Sequence, residues 1–220
     1  MSRVDRAARR AALSGSGPTR GETAHEARFP GARGAFSLLG EVLYVGILVA
    51  VVSIPVVTLP AALAAGVRHL RRYLKADDSG LTWFWRDVRA GLVGGIGIGA
   101  ASLVLALVLV LDIDLAGTGV LPGGPVVAAI GWAGLAALAL VLFTAAGRWT
   151  PGGGWLGALR EVPGAVRQDP AGAAYLVATA VFAGVVTWQL LPLAIPALGC
   201  VALAIVAVPE RPRRGHDVDA

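Results

Sequence analysis

FSLLGEVLYVGILVAVVSIPVVTLPAALAAGVRHLRRYLK, residues 36–75, is the stretch that decides how this chain folds. An apolar run fills residues 38–56, broken only by Glu41 and a few small residues, and a second one ends at Arg68. Between them, Pro55 and Pro60 remove two backbone donors and push Ile54 and Leu59 away from helical geometry. Thr58 is placed to cap a helix restarting near Pro60, where a missing N–H costs nothing. The pattern predicts a membrane hairpin: a full span, a sharp turn, and a short return helix that emerges in a basic cluster. Architecture is well specified here, and biochemical activity is not.

Composition supports the same class. The chain has 220 residues, of which 56% are hydrophobic and 15% charged. Soluble domains carry about 25% charged residues, and the mean hydropathy is +0.71. Apolar runs occupy nearly the whole length, leaving no room for a separate soluble core. Cys200 is the single cysteine, so an intrachain disulfide framework and a cysteine-based metal cluster are excluded. A pI near 10.3 suggests nucleic acid. The basic residues flank apolar spans as orientation signals do, however, and no nucleic-acid partner is expected.

Working outward, residues 1–34 are rich in Arg, Ala, Gly and Ser and have no apolar core of a signal peptide. They read as a disordered basic cytoplasmic tail, with an Arg-rich arm touching anionic lipid or nucleic acid as the sharper alternative. Downstream of the hairpin, Arg68, Arg71, Arg72 and Lys75 recur at helical spacing and form a cytoplasmic basic face. It is either a snorkelling helix end or a docking surface. Trp83, Phe84 and Trp85 beside Arg86 and Arg89 read as an interfacial anchor.

Residues 90–111 form the clearest span, with Gly91, Gly95 and Gly99 stepping by four so that another helix can approach closely. Packing within the chain is favoured over homodimerisation. Asp112 and Asp114 close that helix in a solvated loop, and a metal is not expected there. Residues 125–146 and 171–191 supply further spans, residues 152–169 a polar connection, and Pro192 and Pro196 break the chain before a short last helix at 193–208. The expected fold is therefore an all-α polytopic transmembrane bundle of four to six membrane-inserted helices with a Pro-broken first hairpin. Its membrane domain covers residues 35–209, and residues 210–220 form a cytoplasmic tail.

Residues 43–74, with the core SIPVVTLPAALAAGVRHL, resemble the YesL-like family of bacterial integral membrane proteins, as does the aromatic-basic segment 83–89. The similarity runs over residues 40–105. The chain departs from the family at Val45 and Gly46, where an Asn is common, and near Pro60, where Gly is frequent. The resemblance implies a helical protein of the bacterial cell membrane and carries no established reaction. It also implies an association with carbohydrate uptake systems.

Six crossings put every Lys and Arg on one side, and leave Asp112 and Asp114 on the other without positive charge. That bias places both termini in the cytoplasm. The competing arrangement is a re-entrant first hairpin, because the return helix has only about 13 apolar residues, roughly 20 Å against a core of about 30 Å.

Catalytic machinery is not expected. His25 and His216 lie in the tails, and His69 sits among arginines without zinc-ligand partners. No nucleophile elbow or phosphate loop is present, and neither a metal nor another cofactor is expected. Glu41 falls near membrane depth, where an ionisable group is by default a functional hypothesis. A place in the first helical turn instead lets it suit the dipole and reach the headgroups. Two functions remain: a non-enzymatic accessory or assembly partner of a membrane transporter or other membrane protein, and a small transporter acting alone. The second needs polar groups inside the spans, and Ser102, Thr144, Thr179, Thr187 and Gln189 are nearly all there are. The accessory role is favoured.

The topology is testable with single cysteines at Ser79 and Gly117 in a Cys200→Ser background, labelled from outside whole cells. Gly117 should label and Ser79 should not; the reverse pattern would overturn the orientation.

Overall fold

A computed structural model of the chain describes residues 35–77, 80–119 and 122–211. The expected tail at 1–34 and the end of the expected C-terminal tail lie outside those residues. Every element among the described residues is helical: α1 (Ala35–Val52), a 3-10 turn (Val56–Thr58), α2 (Leu59–Leu74), α3 (Leu81–Gly117), α4 (Gly124–Arg148), α5 (Gly154–Gln168), α6 (Pro170–Gln189), a second 3-10 turn (Leu191–Leu193) and α7 (Ala194–Glu210). Four stretches are long and apolar enough to span a bilayer, namely α3, α4, α6 and Leu191–Glu210. α1 is apolar but shorter. The chain is thus an all-α, multi-pass membrane bundle.

The Pro-broken hairpin forms where the sequence places it. α1 ends at Val52, and Pro55 stands extended ahead of the 3-10 turn (φ −79°, ψ 96°). Thr58 does not cap α2 with its side chain. Its backbone (φ −89°, ψ −5°) is helical, whereas an N-cap hydroxyl needs extended geometry to reach the next turn. The Thr58 hydroxyl points backwards and donates to the Val52 carbonyl at the end of α1 and to the Pro55 carbonyl, which also accepts the Thr58 N–H. Leu59 is helical despite preceding Pro60 (φ −50°, ψ −44°), because Pro60 sits in the first turn of α2, where its fixed φ suits the helix and its missing N–H leaves no bond unmade.

α2 is the axis of the molecule. Residues 60–67 are all buried, and α1, α3, α4 and α7 pack around them. Ala61, Ala62, Ala64, Ala65 and Gly66 make this possible, since small side chains let several helices close on one backbone. A Cβ at Gly66 would lie 2.8 Å from the Val49 side chain. In lipid the gain on helix association is chiefly van der Waals packing, so any void left here would be felt directly. α1 and α7 meet just as closely: a Cβ at Gly46 would strike the Ile195 carbonyl, and one at Gly199 the Val42 carbonyl.

α3 is 37 residues long, about 55 Å if straight, far beyond a core of about 30 Å. It kinks at Val93 (ψ 110°) and Gly94 (φ +81°), a left-handed position that glycine adopts without strain. The first leg presents Phe84, Asp87, Val88 and Gly91 inward and leaves Trp83 and Trp85 exposed. The second leg is the span proper. It continues through Asp112 and Asp114 to Gly117, because two exposed aspartates do not stop a helix; the chain leaves it just before Gly119, whose φ of +76° is left-handed. The polar connection expected at 152–169 is likewise helix α5, whose Trp155, Ala158 and Val162 share one buried face.

The three stepping glycines are buried against the hairpin, across the kink. A Cβ at Gly91 would touch Ala61 at 3.4 Å, and one at Gly95 would press on the Trp155 indole at 3.0 Å. At Gly99 it would run into the Val57 carbonyl. Gly99→Leu should therefore destabilise most, because backbone cannot yield, and Gly95→Leu by about 1–3 kcal/mol, on the scale of an overpacked interior. Leu107→Ala alters a side chain on the outer surface, half exposed, and should cost far less. Equal thermal stability of the three variants in detergent would show that the glycine face meets only lipid.

Candidate functional site

The polar chemistry of the bundle gathers at the end that holds the start of α1, the close of α2, α4 and α7, and the start of α3 and α6. Ser37 Oγ and Tyr73 Oη, 2.6 Å apart, tie α1 to the last turn of α2. Asp87 and His69 are buried among a bundle otherwise lined by apolar side chains. Asp87, from the first leg of α3, takes two arginines from α2: Arg68 Nε donates to its Oδ2 at 3.1 Å and Arg72 Nη2 at 2.6 Å. Arg68 and Arg72 are one helical turn apart, so both guanidinium groups reach one carboxylate. Each also lies over an indole, Arg68 over Trp149 and Arg72 over Trp83, 5.9 and 5.5 Å from the ring centroids.

Arg71 points elsewhere, donating through Nη1 to the Gly147 carbonyl at 2.6 Å. It thereby meets the last turn of α4, where carbonyls lack helical partners. Lys75 is exposed. The basic face of Arg68, Arg71, Arg72 and Lys75 is thus divided: three arginines are engaged within the chain, and the lysine faces outward. Arg86 and Arg89 on the first leg of α3 also face outward.

Glu41 does not lie in the first turn of its helix, which begins at Ala35 and holds no acid in that turn. It sits nearly two turns in and accepts a hydrogen bond from His69 Nε2 at 2.6 Å. The imidazole is 1% exposed and lies against the Tyr44 and Phe84 rings. Its Nδ1 has no hydrogen-bond partner among the described residues. No group of three or more His, Cys, Asp or Glu converges there as a metal would require. The pair acts as a polar bolt between α1 and α2.

Two further links complete this end. Trp155 Nε1 donates to the Gly91 carbonyl at 2.7 Å, just ahead of the kink, where a helix that stops leaves carbonyls open. Arg211 Nη2 donates to Asp169 Oδ1 at 2.5 Å, and the same oxygen caps α6 through the Gly172 N–H at 2.9 Å. Asp87, Glu41 with His69, Trp155, and the Gly46–Gly199 crossing all escape a search for motifs. Asp87 leaves a signal in its spacing: an acid on the Phe84–Val88–Gly91 stripe of an otherwise basic segment, one helix away from arginines spaced by four.

Comparisons with protein-family models, with curated proteins and with solved structures give no match. The site is therefore read from its own geometry.

Asp87 is 4% exposed at its side chain, with Arg68 and Arg72 at 27% and 18%. Asp87→Asn should cost about 3 kcal/mol, at the low end for breaking a buried pair because the arginines keep some water. Combining it with Arg72→Gln should cost less than the two single changes added. Additive losses in thermal unfolding would show that the carboxylate and guanidinium do not couple.

Proposed function

We propose that this protein is a non-enzymatic accessory or assembly partner of another membrane protein, with a carbohydrate uptake transporter as the candidate implied by its resemblance to the YesL-like family of the bacterial cell membrane. The observation that carries this reading is the outward face of the α3–α4 hairpin. The apolar windows of α3 and α4 are each only 6% buried within the chain. The two helices zip to each other, Gly131 against Ile113 and Gly134 against Leu109, and turn broad apolar faces outward, including Val104, Leu107, Ile130 and Trp132. Such faces suit lipid, and equally a second membrane protein within the bilayer.

The inward side supports the same reading. The acidic side chains that reach the interior hold helix to helix: Asp87 joins α3 to α2, and Glu41 joins α1 to α2. A transporter commonly opens a broken helix onto its solute, with freed backbone groups as ligands. Here the Gly91 carbonyl beside the break in α3 already accepts the Trp155 indole. Both termini lie in the cytoplasm on this reading, because Arg71, Arg148 and Arg211 gather at one end of the bundle.

The test is photo-crosslinking in native membranes from an unnatural side chain placed at Val104 or Ile130 on the hairpin, or at Arg86 on the cationic side. Protein adducts at the hairpin positions are expected. Lipid adducts alone at all three positions would remove the partner, and solute flux by the purified protein in liposomes would favour a transporter.

A further inference from the structure

A cleft of about 270 Å³ opens at the basic end between α2, α4, α6 and α7, with the end of α5 at its rim. Its volume falls just below the roughly 300–1,000 Å³ of typical small-molecule sites, so it can hold a headgroup but not a protein segment. The lining has two characters. Phe143, Leu176 and Ile205 form an apolar wall, and Arg71, Arg148 and Thr144 supply donors. Arg71 spends one of its five N–H donors on the Gly147 carbonyl, which fixes the guanidinium at the cleft wall.

The acids around this cleft are already committed. Asp169 is held by Arg211 and by the start of α6. Glu161 pairs with Arg148 at 2.9 Å, but both side chains are about half exposed, at 58% and 42%, so water and salt weaken that pair. Glu210 lies within electrostatic reach of Arg71 and moderates its field. What remains is a pinned arginine and a releasable one, beside an apolar wall, at the end of a membrane bundle.

We propose that this cleft is a headgroup site for an anionic phospholipid. The phosphate takes Arg71 and Arg148, and the start of an acyl chain follows Phe143, Leu176 and Ile205 toward the bilayer. Basic pockets between helices on the cytoplasmic side are the usual form of such recognition. Arginine suits it because its planar fork meets two phosphate oxygens at once. The site rests on the cleft alone and does not depend on the accessory role.

Delipidated protein would be titrated with phosphatidylglycerol and with phosphatidylcholine of the same acyl chains. Retained lipid would be read by native mass spectrometry and stability by thermal unfolding, with sn-glycerol 3-phosphate as the headgroup alone. Phosphatidylglycerol should bind preferentially and raise the unfolding temperature. Arg71→Gln and Arg148→Gln should each weaken it about tenfold or more, the scale of a hydrogen bond to a charged group. Ala173→Phe fills the cleft while keeping both arginines, and should abolish the preference. If Arg71→Gln fails to fold, the other two variants decide. Equal binding of both lipids, or a preference that survives Ala173→Phe, would overturn the proposal. Glycerol 3-phosphate stabilising as well as the intact lipid would overturn it too, by assigning the cleft to a soluble anion.

Discussion

A helix of 16 residues reaches about 24 Å, less than the hydrocarbon core of a bilayer, and α2 has arginines in its last turn. It can sit at membrane depth only if protein surrounds it, because lipid offers nothing to its short apolar length or to its charges. Much of the bundle follows from that constraint. The alanine-rich first half of α2 lets α1, α3, α4 and α7 close around it, and the arginine-bearing second half gives them polar partners. One short helix thus supplies both a close-packed centre and the charges that need burial.

Those charges explain why the two ends of the molecule differ. At the basic end three of the four neighbours of α2 are fixed by a specific polar link: α1 through Glu41 and His69, α3 through Asp87, α4 through Arg71 and the Gly147 carbonyl. The buried core concentrates there too, around Val42, Leu70, Ala145, Trp149 and Ile205. Toward the opposite end, α3 and α4 bury little beyond their mutual contact, and Trp188 at the close of α6 is almost wholly exposed. Buried ion pairs seldom add much net stability, since desolvation offsets attraction. Their contribution here is to register, because a carboxylate that must meet two arginines one turn apart tolerates no slippage of α3 along α2.

The fold was legible in the sequence wherever one residue type has one physical meaning. Pro55 and Pro60 had to separate one helix from the next, and residues 171–191 and 193–208 had to be apolar helices. Gly95 and Gly99 had to admit a neighbour closely. What stayed hidden depends on a partner distant in sequence. Asp87 looked like one charge among the arginines of an interfacial segment until α2 lay against it. Trp155 looked like part of a polar connection until the kink in α3 put a carbonyl before its indole. Thr58 misled because its residue type suits a cap while its backbone angles do not. Gly46 and Gly199 carried no spacing signal at all, since they lie on separate helices and matter only where those helices cross.

The kink and the buried aspartate together determine which chemistry faces the membrane surface. Residues of a helix step by about 100°, so turning Asp87 toward Arg68 and Arg72 also turns Phe84, Val88 and Gly91 inward. The same rotation carries Trp83, Trp85, Arg86 and Arg89 outward. Aromatic rings and cations then lie side by side, a combination that headgroup depth favours. Arg86 rests over the Trp83 ring, 5.2 Å from its centroid. Without Gly94 the first leg would continue along the axis of the span and carry these side chains away from α2. A left-handed glycine frees the leg to lie against the bundle, and a buried carboxylate fixes its rotation. The cationic, aromatic surface of this end is thus a consequence of what the interior requires of one helix turn.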